Sequence, residues 1–457
     1  MRKILPKNLI YFAEKCPAPL YVVGGSVRDF LSGRGEKAGD LDICAPLSAE
    51  AFAAVATDCG FTVCAVYKNT GTVKLKDETG AEYEFAAFRS DKYVRGEHTP
   101  AEIFFTDDIR LDAKRRDFTA NAIYYEIAAD RFVDPLGGIE AVKEKRLTTV
   151  DDPEKVFGED GLRLMRLARQ TAQLGFSPDE SCLWGATKNA SLIDDVSPER
   201  IFEELRLILN AEARYGVANG CLNGLLILEK TRVLDRIFPE LTLGRGMAQR
   251  ADFHKYDVLL HSLKATAYAP CEVRLAVLLH DVGKPFCTLR DGHAHEHPKE
   301  GAAIAEKILT RLRAPKKTVE RVKTLVEWHM YDFDCKTSEN KLRRFFVSNA
   351  EILDDLLKVK QADFSGCTDD LSIAPTVRKW QAILEKMKEE KVPFSLRELP
   401  VTGKEVLDCG IPPKFVSLVL NALLLHLAVN PKDNVKERGL RLIPALYKSV
   451  LSRAGTR

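Results

Sequence analysis

The sequence predicts an α+β chain: a small strand-bearing region at the N-terminus, then helices to the end. Three observations carry this. Short runs in which apolar and polar residues alternate, the mark of half-buried strands, fall before Arg146. Asp151-Asp152-Pro153 then breaks the chain, and apolar residues at helical spacing follow over 157–176. Helical runs continue to the C-terminus, with no internal repeat and no low-complexity tract. These landmarks divide the chain into 1–146, a helical stretch 147–243, a histidine-rich helical region 244–368 opened by the basic GRGMAQR, and a Lys-rich helical end 369–457.

Tyr21 to Val23 is an apolar, β-branched run stopped by Gly24-Gly25, and Val27 to Leu31 reads as the first turns of a helix. The backbone N–H groups of such a turn can bind phosphate oxygens, and Arg28 adds a charged fork beside Gly25. Asp40 and Asp42 alternate with Leu41 and Ile43 in GDLDIC. On a strand both carboxylates project from one face, where they repel, and a hard divalent cation such as Mg2+ removes that penalty. Glu82 and Glu84 alternate with Tyr83 and Phe85 on a further strand. Glu84, nearer the strand's apolar end, is favoured as the third acid that a two-metal phosphoryl-transfer site needs.

LDAKRRDFTANA joins a basic cluster to Asp117, Phe118, Thr119 and Asn121. These polar types suit a ribose and a triphosphate, with Arg116 the phosphate ligand. The segment 157–176 reads as one amphipathic helix, in which Asp160, Arg163, Arg166 and Arg169 recur every three residues. Residues three apart are helix neighbours, so Asp160 and Arg163 would present an acceptor beside a donor. Cytosine and adenine both show an amino donor next to a ring-nitrogen acceptor. Uracil and guanine show the reverse, so this pair would accept C and A and leave U and G mismatched.

GGSVRD, DLD, RRDFTANA, EDGLRLMR and SPERIFEEL occur in this order and together resemble the motifs of the class II CCA-adding enzymes and the related bacterial poly(A) polymerases. The resemblance implies a nucleotidyltransferase head of mixed sheet and helices, a helical neck, and a body and tail that hold tRNA. It implies that Gly25 and Arg28 contact the triphosphate, that Asp40 and Asp42 bind magnesium, and that Arg116 binds the nucleotide. Asp160 and Arg163 would read the base of CTP or ATP, with Arg166 and Arg169 near the phosphates. One segment departs from the pattern. Family members carry a loop tied to the switch from C to A addition, and here Arg95-Gly96-Glu97-His98 lacks the commoner acidic-basic order before Pro100. Enzymes that add only CC, only A, or poly(A) share the other motifs and remain open as alternatives.

His254, His261, His280, His293, His295, His297 and His329 lie on or beside helical runs, with Asp363 beyond them. Imidazoles and carboxylates together make a divalent-metal site. His280-Asp281 followed by Gly283-Lys284 resembles the HD phosphohydrolase domain. The resemblance makes His261, His280, Asp281 and Asp363 ligands for Mg, Mn or Ni, and His297 and His329 candidates for a second metal or for phosphate contact. His254 and His293 read as structural or solvent-exposed. A protein of a different class, an HD phosphohydrolase whose head has become an RNA-binding module, is the remaining alternative.

A net charge of +2 excludes a polycation, so nucleic acid must be held by local basic patches such as those of the C-terminal helices. The 11 cysteines, without a Cys-x-x-Cys pair, suit reduced thiols in a cytoplasmic protein. No signal peptide and no membrane-spanning run is read from the sequence.

Overall fold

The structure, a computed structural model, describes residues 1–34, 41–92 and 101–454. Asp40 and the departing loop around Arg95 lie outside the described residues. The chain divides into two compact units, Met1–Thr242 with Arg311–Ala314, and Leu243–Thr310 with Pro315–Arg457. Among the described residues, no helix is long and apolar enough to cross a membrane.

The first unit is built on a seven-stranded sheet. Its strands are β1 (Tyr21–Val23), β2 (Leu41–Ala45), β3 (Thr62–Tyr67), β4 (Thr72–Lys76) and β5 (Glu82–Ala87), followed, after the separate hairpin of β6 (Arg89–Lys92) and β7 (Glu102–Phe105), by β8 (Tyr124–Glu126) and β9 (Arg131–Val133). The spatial order is β3-β4-β5-β2-β1-β8-β9, antiparallel throughout except for the parallel pair β2 and β5. Alternation explains the faces: Tyr83, Phe85 and Ala87 are buried while Glu82 and Glu84 are exposed, and Leu41 and Ile43 are buried around exposed Asp42. The buried side is closed by the Ala49–Asp58 helix, whose Phe52 stacks on Phe85 with ring centroids 3.6 Å apart. The helix after β1 begins two residues earlier than the sequence suggests, at Gly25.

The single helix expected over 157–176 is two helices. Asp152 caps Pro153–Glu159 by accepting from the Glu154 N–H at 3.2 Å, Asp160 then turns extended with φ −146° and ψ 109°, and a second helix runs over Leu162–Leu174. The break coincides with a close tertiary contact. A Cβ on Gly161 would lie 2.3 Å from the Leu192 carbonyl oxygen, so the backbone there is pressed against the 190–195 turn. Asp160 is therefore not a helix neighbour of Arg163; its Oδ1 instead accepts from the Leu162 N–H at 2.9 Å, opening the second helix.

The second unit is helical. Val258–Tyr268, Arg274–Leu279, His297–Arg311, Lys316–Trp328 and Leu353–Thr368 enclose a buried group of histidines and aspartates. Further on, Trp380 of Pro375–Glu389 is fully buried against Phe345 and Phe346.

Candidate active site and candidate metal centre

In the first unit a cavity of about 370 Å³ is lined by Gly24, Gly25, Arg28, Asp42, Arg115, Arg116, Asp117, Asn121, Asp160, Arg163, Arg166 and Arg169, among others. Residues from the β1 turn, β2, the RRDF segment and the 162–174 helix thus meet around one space. Gly24 has φ +83°, and a Cβ there would stand 3.2 Å from Asp42 Oδ2, so glycine lets the turn run against the carboxylate. Asp42 is the register partner of Glu84 on the parallel neighbour β5. The two carboxylates share a face, whereas Glu82 pairs with Lys76 at 2.8 Å. Glu84 stands beside Asp42 but is not part of the cavity wall. Hard oxygen donors set side by side suit Mg2+.

A chain of charge-assisted bonds fixes the cations. Arg28 Nε and Nη2 donate to Asp29 Oδ1 at 2.9 and 2.7 Å, and its Nη1 donates to Asn121 Oδ1 at 2.6 Å. Asn121 Nδ2 donates to Asp117 Oδ1 at 2.9 Å, and Arg166 Nε and Nη2 donate to Asp117 Oδ2 at 2.8 and 2.6 Å. Asp117 is buried. Burial would raise its pKa, but the Arg166 charge and the bonds from Asn121, Arg166 and the Phe118 N–H hold it well below the usual carboxylate range. It remains an anion that anchors the row Arg28, Asn121, Arg166.

Arg116 donates from Nη2 to Asp112 Oδ2 and from Nε to the Tyr124 hydroxyl, each at 3.2 Å. Arg163 is buried: its Nη1 donates to the Val156 carbonyl at 2.8 Å and to Glu159 at 2.9 Å, and its Nη2 donates to the Arg115 carbonyl at 2.7 Å. Its fork is held rigidly at the cavity wall. Arg169 pairs with Glu204 at 3.1 Å.

Sequence reasoning missed several contributors. Fully buried Asp112 accepts from Arg115 Nε at 2.7 Å and from the Tyr124 hydroxyl at 2.6 Å, and so sets the arginine pair. Its spacing to Arg115 and Arg116, three and four residues, was a readable helical signal. Arg200, inside SPERIFEEL, and Arg214 also line the cavity. Arg214 carries no local signal.

In the second unit, His261, His280, Asp281, His297, His329 and Asp363 come together. His261 Nε2 lies 3.1 Å from His280 Nε2 and from Asp363 Oδ1, and 3.4 Å from Asp281 Oδ2. His280 Nε2 is 3.3 Å from Asp281 Oδ2 and 3.4 Å from Asp363 Oδ1. Burial disfavours the charged His280 ring, yet the Asp281 charge and bonds to both aspartates outweigh it and push its pKa up to about 10. Burial holds His329 neutral, its pKa pushed down to about 4. Nitrogen and oxygen donors converging in this way suit a divalent ion. Lys284 Nζ sits 2.6 Å from Asp281 Oδ2.

A cavity of about 670 Å³ opens beside this group, with Phe253, Met330, Phe333 and Phe364 among its walls. His254 also lines it and meets His261 edge-on at 5.0 Å, so it belongs to the centre's surroundings; His293 is exposed at the same cavity.

A triphosphate-sized, arginine-lined cavity beside strand carboxylates, on this mixed sheet, defines a nucleotidyltransferase; the second unit adds a histidine–aspartate domain. Comparisons with known proteins agree. Residues 20–148 match the poly A polymerase head domain, 175–243 the probable RNA and SrmB-binding site of polymerase A, and 254–363 the HD domain. An A-adding tRNA nucleotidyltransferase of Deinococcus radiodurans is 30% identical over 90% of this chain and 93% of its own length. A CC-adding tRNA nucleotidyltransferase of Thermus thermophilus is 32% identical over 76% of each chain. The Bacillus stearothermophilus CCA-adding enzyme, solved with CTP, shares the fold with a TM-score of 0.67 at 24% identity, covering 99% of this chain and 100% of that one. The chain belongs to the CCA-adding tRNA nucleotidyltransferase family, in its HD-domain-bearing form.

Proposed function

We propose that the chain adds C and A residues to the 3′ end of tRNA from CTP and ATP, without a nucleic-acid template, and so builds CCA. The observation that carries the reading is the meeting, around one cavity, of Asp42 with fixed arginines and with Asp160 and Arg163. The tRNA 3′-hydroxyl oxygen attacks the α-phosphorus of the triphosphate, a new P–O bond forms, and pyrophosphate leaves. Arg28, Arg116 and Arg166 neutralise the triphosphate and hold it in line, Gly25 letting the backbone approach it; Arg169 supports the far side. Magnesium, when bound, supplies Lewis acidity at the reacting phosphate and lowers the pKa of the attacking hydroxyl; Asp40, Asp42 and Glu84 would hold it.

Base choice falls to Asp160 as acceptor and Arg163 as donor, opposite the amino and ring-nitrogen edges of C and A. Because Arg163 is held by three acceptors, it cannot turn to suit U or G without losing buried bonds. Relatives named as A-adding and as CC-adding make the number of additions the point to test. Labelled CTP and ATP, given separately to tRNA lacking CCA, CA or the final A, should label the first two ends with C and the third with A. ATP runs on any end would instead make it a poly(A) polymerase. Acting on tRNA, the protein would be cytoplasmic.

The second unit supports a further reading, hydrolysis of phosphate esters at the histidine–aspartate centre. His261, His280, Asp281 and Asp363 would hold Mg, Mn or Ni there. Purified chain supplied with each metal should release phosphate or open a 2′,3′-cyclic phosphate; no release with any of them would remove this activity.

A further inference from the structure

Asp29 holds more than Arg28. While its Oδ1 takes two bonds from Arg28, its Oδ2 accepts from the Tyr215 hydroxyl. That hydroxyl in turn accepts from Arg214 Nε at 2.7 Å. A guanidinium can only donate, so the one phenolic proton goes to Asp29, and the series Arg28, Asp29, Tyr215, Arg214 has a single hydrogen pattern. Tyr215 ends the short helix Glu212–Tyr215, which Gly216 closes at φ +64° and which Glu212 ties to the following helix by accepting from the Cys221 N–H at 2.8 Å. Charge also packs against the ring: the Cζ atoms of Arg214 and Arg34 stand 5.0 and 5.2 Å from its centroid. Arg34 Nη2 donates to the Leu174 carbonyl at 3.0 Å, and its buried Nη1 has no hydrogen-bond partner among the described residues.

Arg214 differs from its neighbours in the cavity wall. Arg28, Arg115, Arg116, Arg163, Arg166 and Arg169 each have a carboxylate oxygen within 3.2 Å. Arg214 is half exposed, and among the described residues its closest carboxylate oxygen, on Asp29, is 3.9 Å away. Its charge is therefore open to a ligand. Position decides which one. Asp42 lies at the reacting phosphate in the proposed reaction, Gly24 runs against Asp42, and Arg28 follows on the helix that Gly25 opens. Arg214 comes beyond Arg28, at the end of this series away from Asp42. The attacking oxygen and the leaving pyrophosphate stand in line on opposite sides of the α-phosphorus. A triphosphate running from Asp42 past Arg28 thus carries its γ-phosphate to Arg214, while the RNA 3′ end enters from the other side.

We propose that Arg214 binds the γ-phosphate of the incoming nucleotide and selects triphosphate over diphosphate, with Tyr215 positioning it and Arg34 adding positive charge beside them. The proposal rests on the reading of the cavity as a triphosphate site. Asp29 then serves two cations, fixing Arg28 directly and Arg214 through the tyrosine. A planar fork held in one orientation suits the free oxygens of a terminal phosphate. A diphosphate ends at Arg28 and leaves Arg214 without an anion.

The test measures equilibrium binding of CTP and of CDP to the full chain by titration calorimetry, with Mg2+ and without tRNA, so that no turnover is needed. The native chain should bind CTP about tenfold more tightly than CDP, the effect of one charge-assisted contact. Arg214→Gln should weaken CTP binding about tenfold and leave CDP unchanged, and Arg214→Lys, which keeps the charge, should restore part of the loss. Tyr215→Phe keeps the ring but releases Arg214 from Asp29, so it should weaken CTP alone, and by less. Affinity for tRNA, measured by filter binding, should not change in any of the three. Equal weakening of CTP and CDP would make Arg214 a structural residue, and weaker tRNA binding at an unchanged CTP-to-CDP ratio would place it on the RNA; either result overturns the proposal. A native chain that binds CDP as tightly as CTP overturns it too, and one that binds neither nucleotide overturns the triphosphate reading of the cavity and the proposal with it.

Discussion

Replacing Asp117 by Asn keeps its shape and removes its charge, which makes it a sharp probe of the cavity. In the native protein Oδ2 takes two bonds from Arg166 and one from Gln170 at 3.3 Å, while Oδ1 takes Asn121 and the Phe118 N–H at 2.8 Å. An amide would set its own donors against those of Arg166. Two charge-assisted bonds are lost, each contributing about 1.5–3 kcal/mol, but Arg166 is partly exposed and recovers some of this in water. A net loss of about 2–3 kcal/mol in unfolding free energy of the first unit follows, read as a lower urea midpoint. Because Arg166 and the Asn121–Arg28 link then lose their anchor, kcat/KM for CTP and ATP incorporation should fall about 10- to 100-fold. The pH dependence has a fixed sign. The folded carboxylate is depressed below its unfolded value of about 3.9, so the stability gap between native and variant stays constant down to roughly pH 4 and closes below it. Stability lost with kcat/KM unchanged would make Asp117 a purely structural anion and refute the reasoning about the arginines.

Asp42→Ala should abolish incorporation while tRNA affinity, measured by filter binding, changes less than about threefold, because the residue acts on the reacting phosphates and not on the RNA body. Gly161→Ala should lower the urea midpoint by the equivalent of about 1–3 kcal/mol and weaken CTP and ATP binding together, since the new methyl group would press on the Leu192 carbonyl and move Asp160. Asp112→Asn, which leaves Arg115 and Arg116 without their buried counter-charge, should cost about 3–5 kcal/mol by denaturant unfolding.

Much of the site was legible because its signals are local. The strand, glycine turn and helix at 21–31 announce themselves through glycine and β-branched residues, and the outward placement of Asp42 and of Glu84, each on its own strand, follows from period-two alternation. That these strands are parallel neighbours was not legible, since pairing joins residues far apart in the chain. The break at Asp160 was only half legible: the apolar spacing runs through it unchanged, although Asp160 is a capping residue next to a glycine, and the packing of that glycine against the Leu192 carbonyl, about thirty residues on, was not readable. The network through Asp117 was half visible. Its acid and its arginines were in view, but not that Asn121 links them to Arg28. In the second unit the order of histidines and aspartates gave the cluster, whereas which ring faces which carboxylate needed the packing of the helices that carry them.

The most direct test supplies each of the four labelled triphosphates, one at a time, to tRNA lacking CCA, CA or the final A. C is expected on the first two ends, A on the third, and U and G below about one hundredth of these on all three. Comparable incorporation of U or G would contradict the assignment of base choice to Asp160 and Arg163, and absence of any incorporation would contradict the reading of the cavity itself.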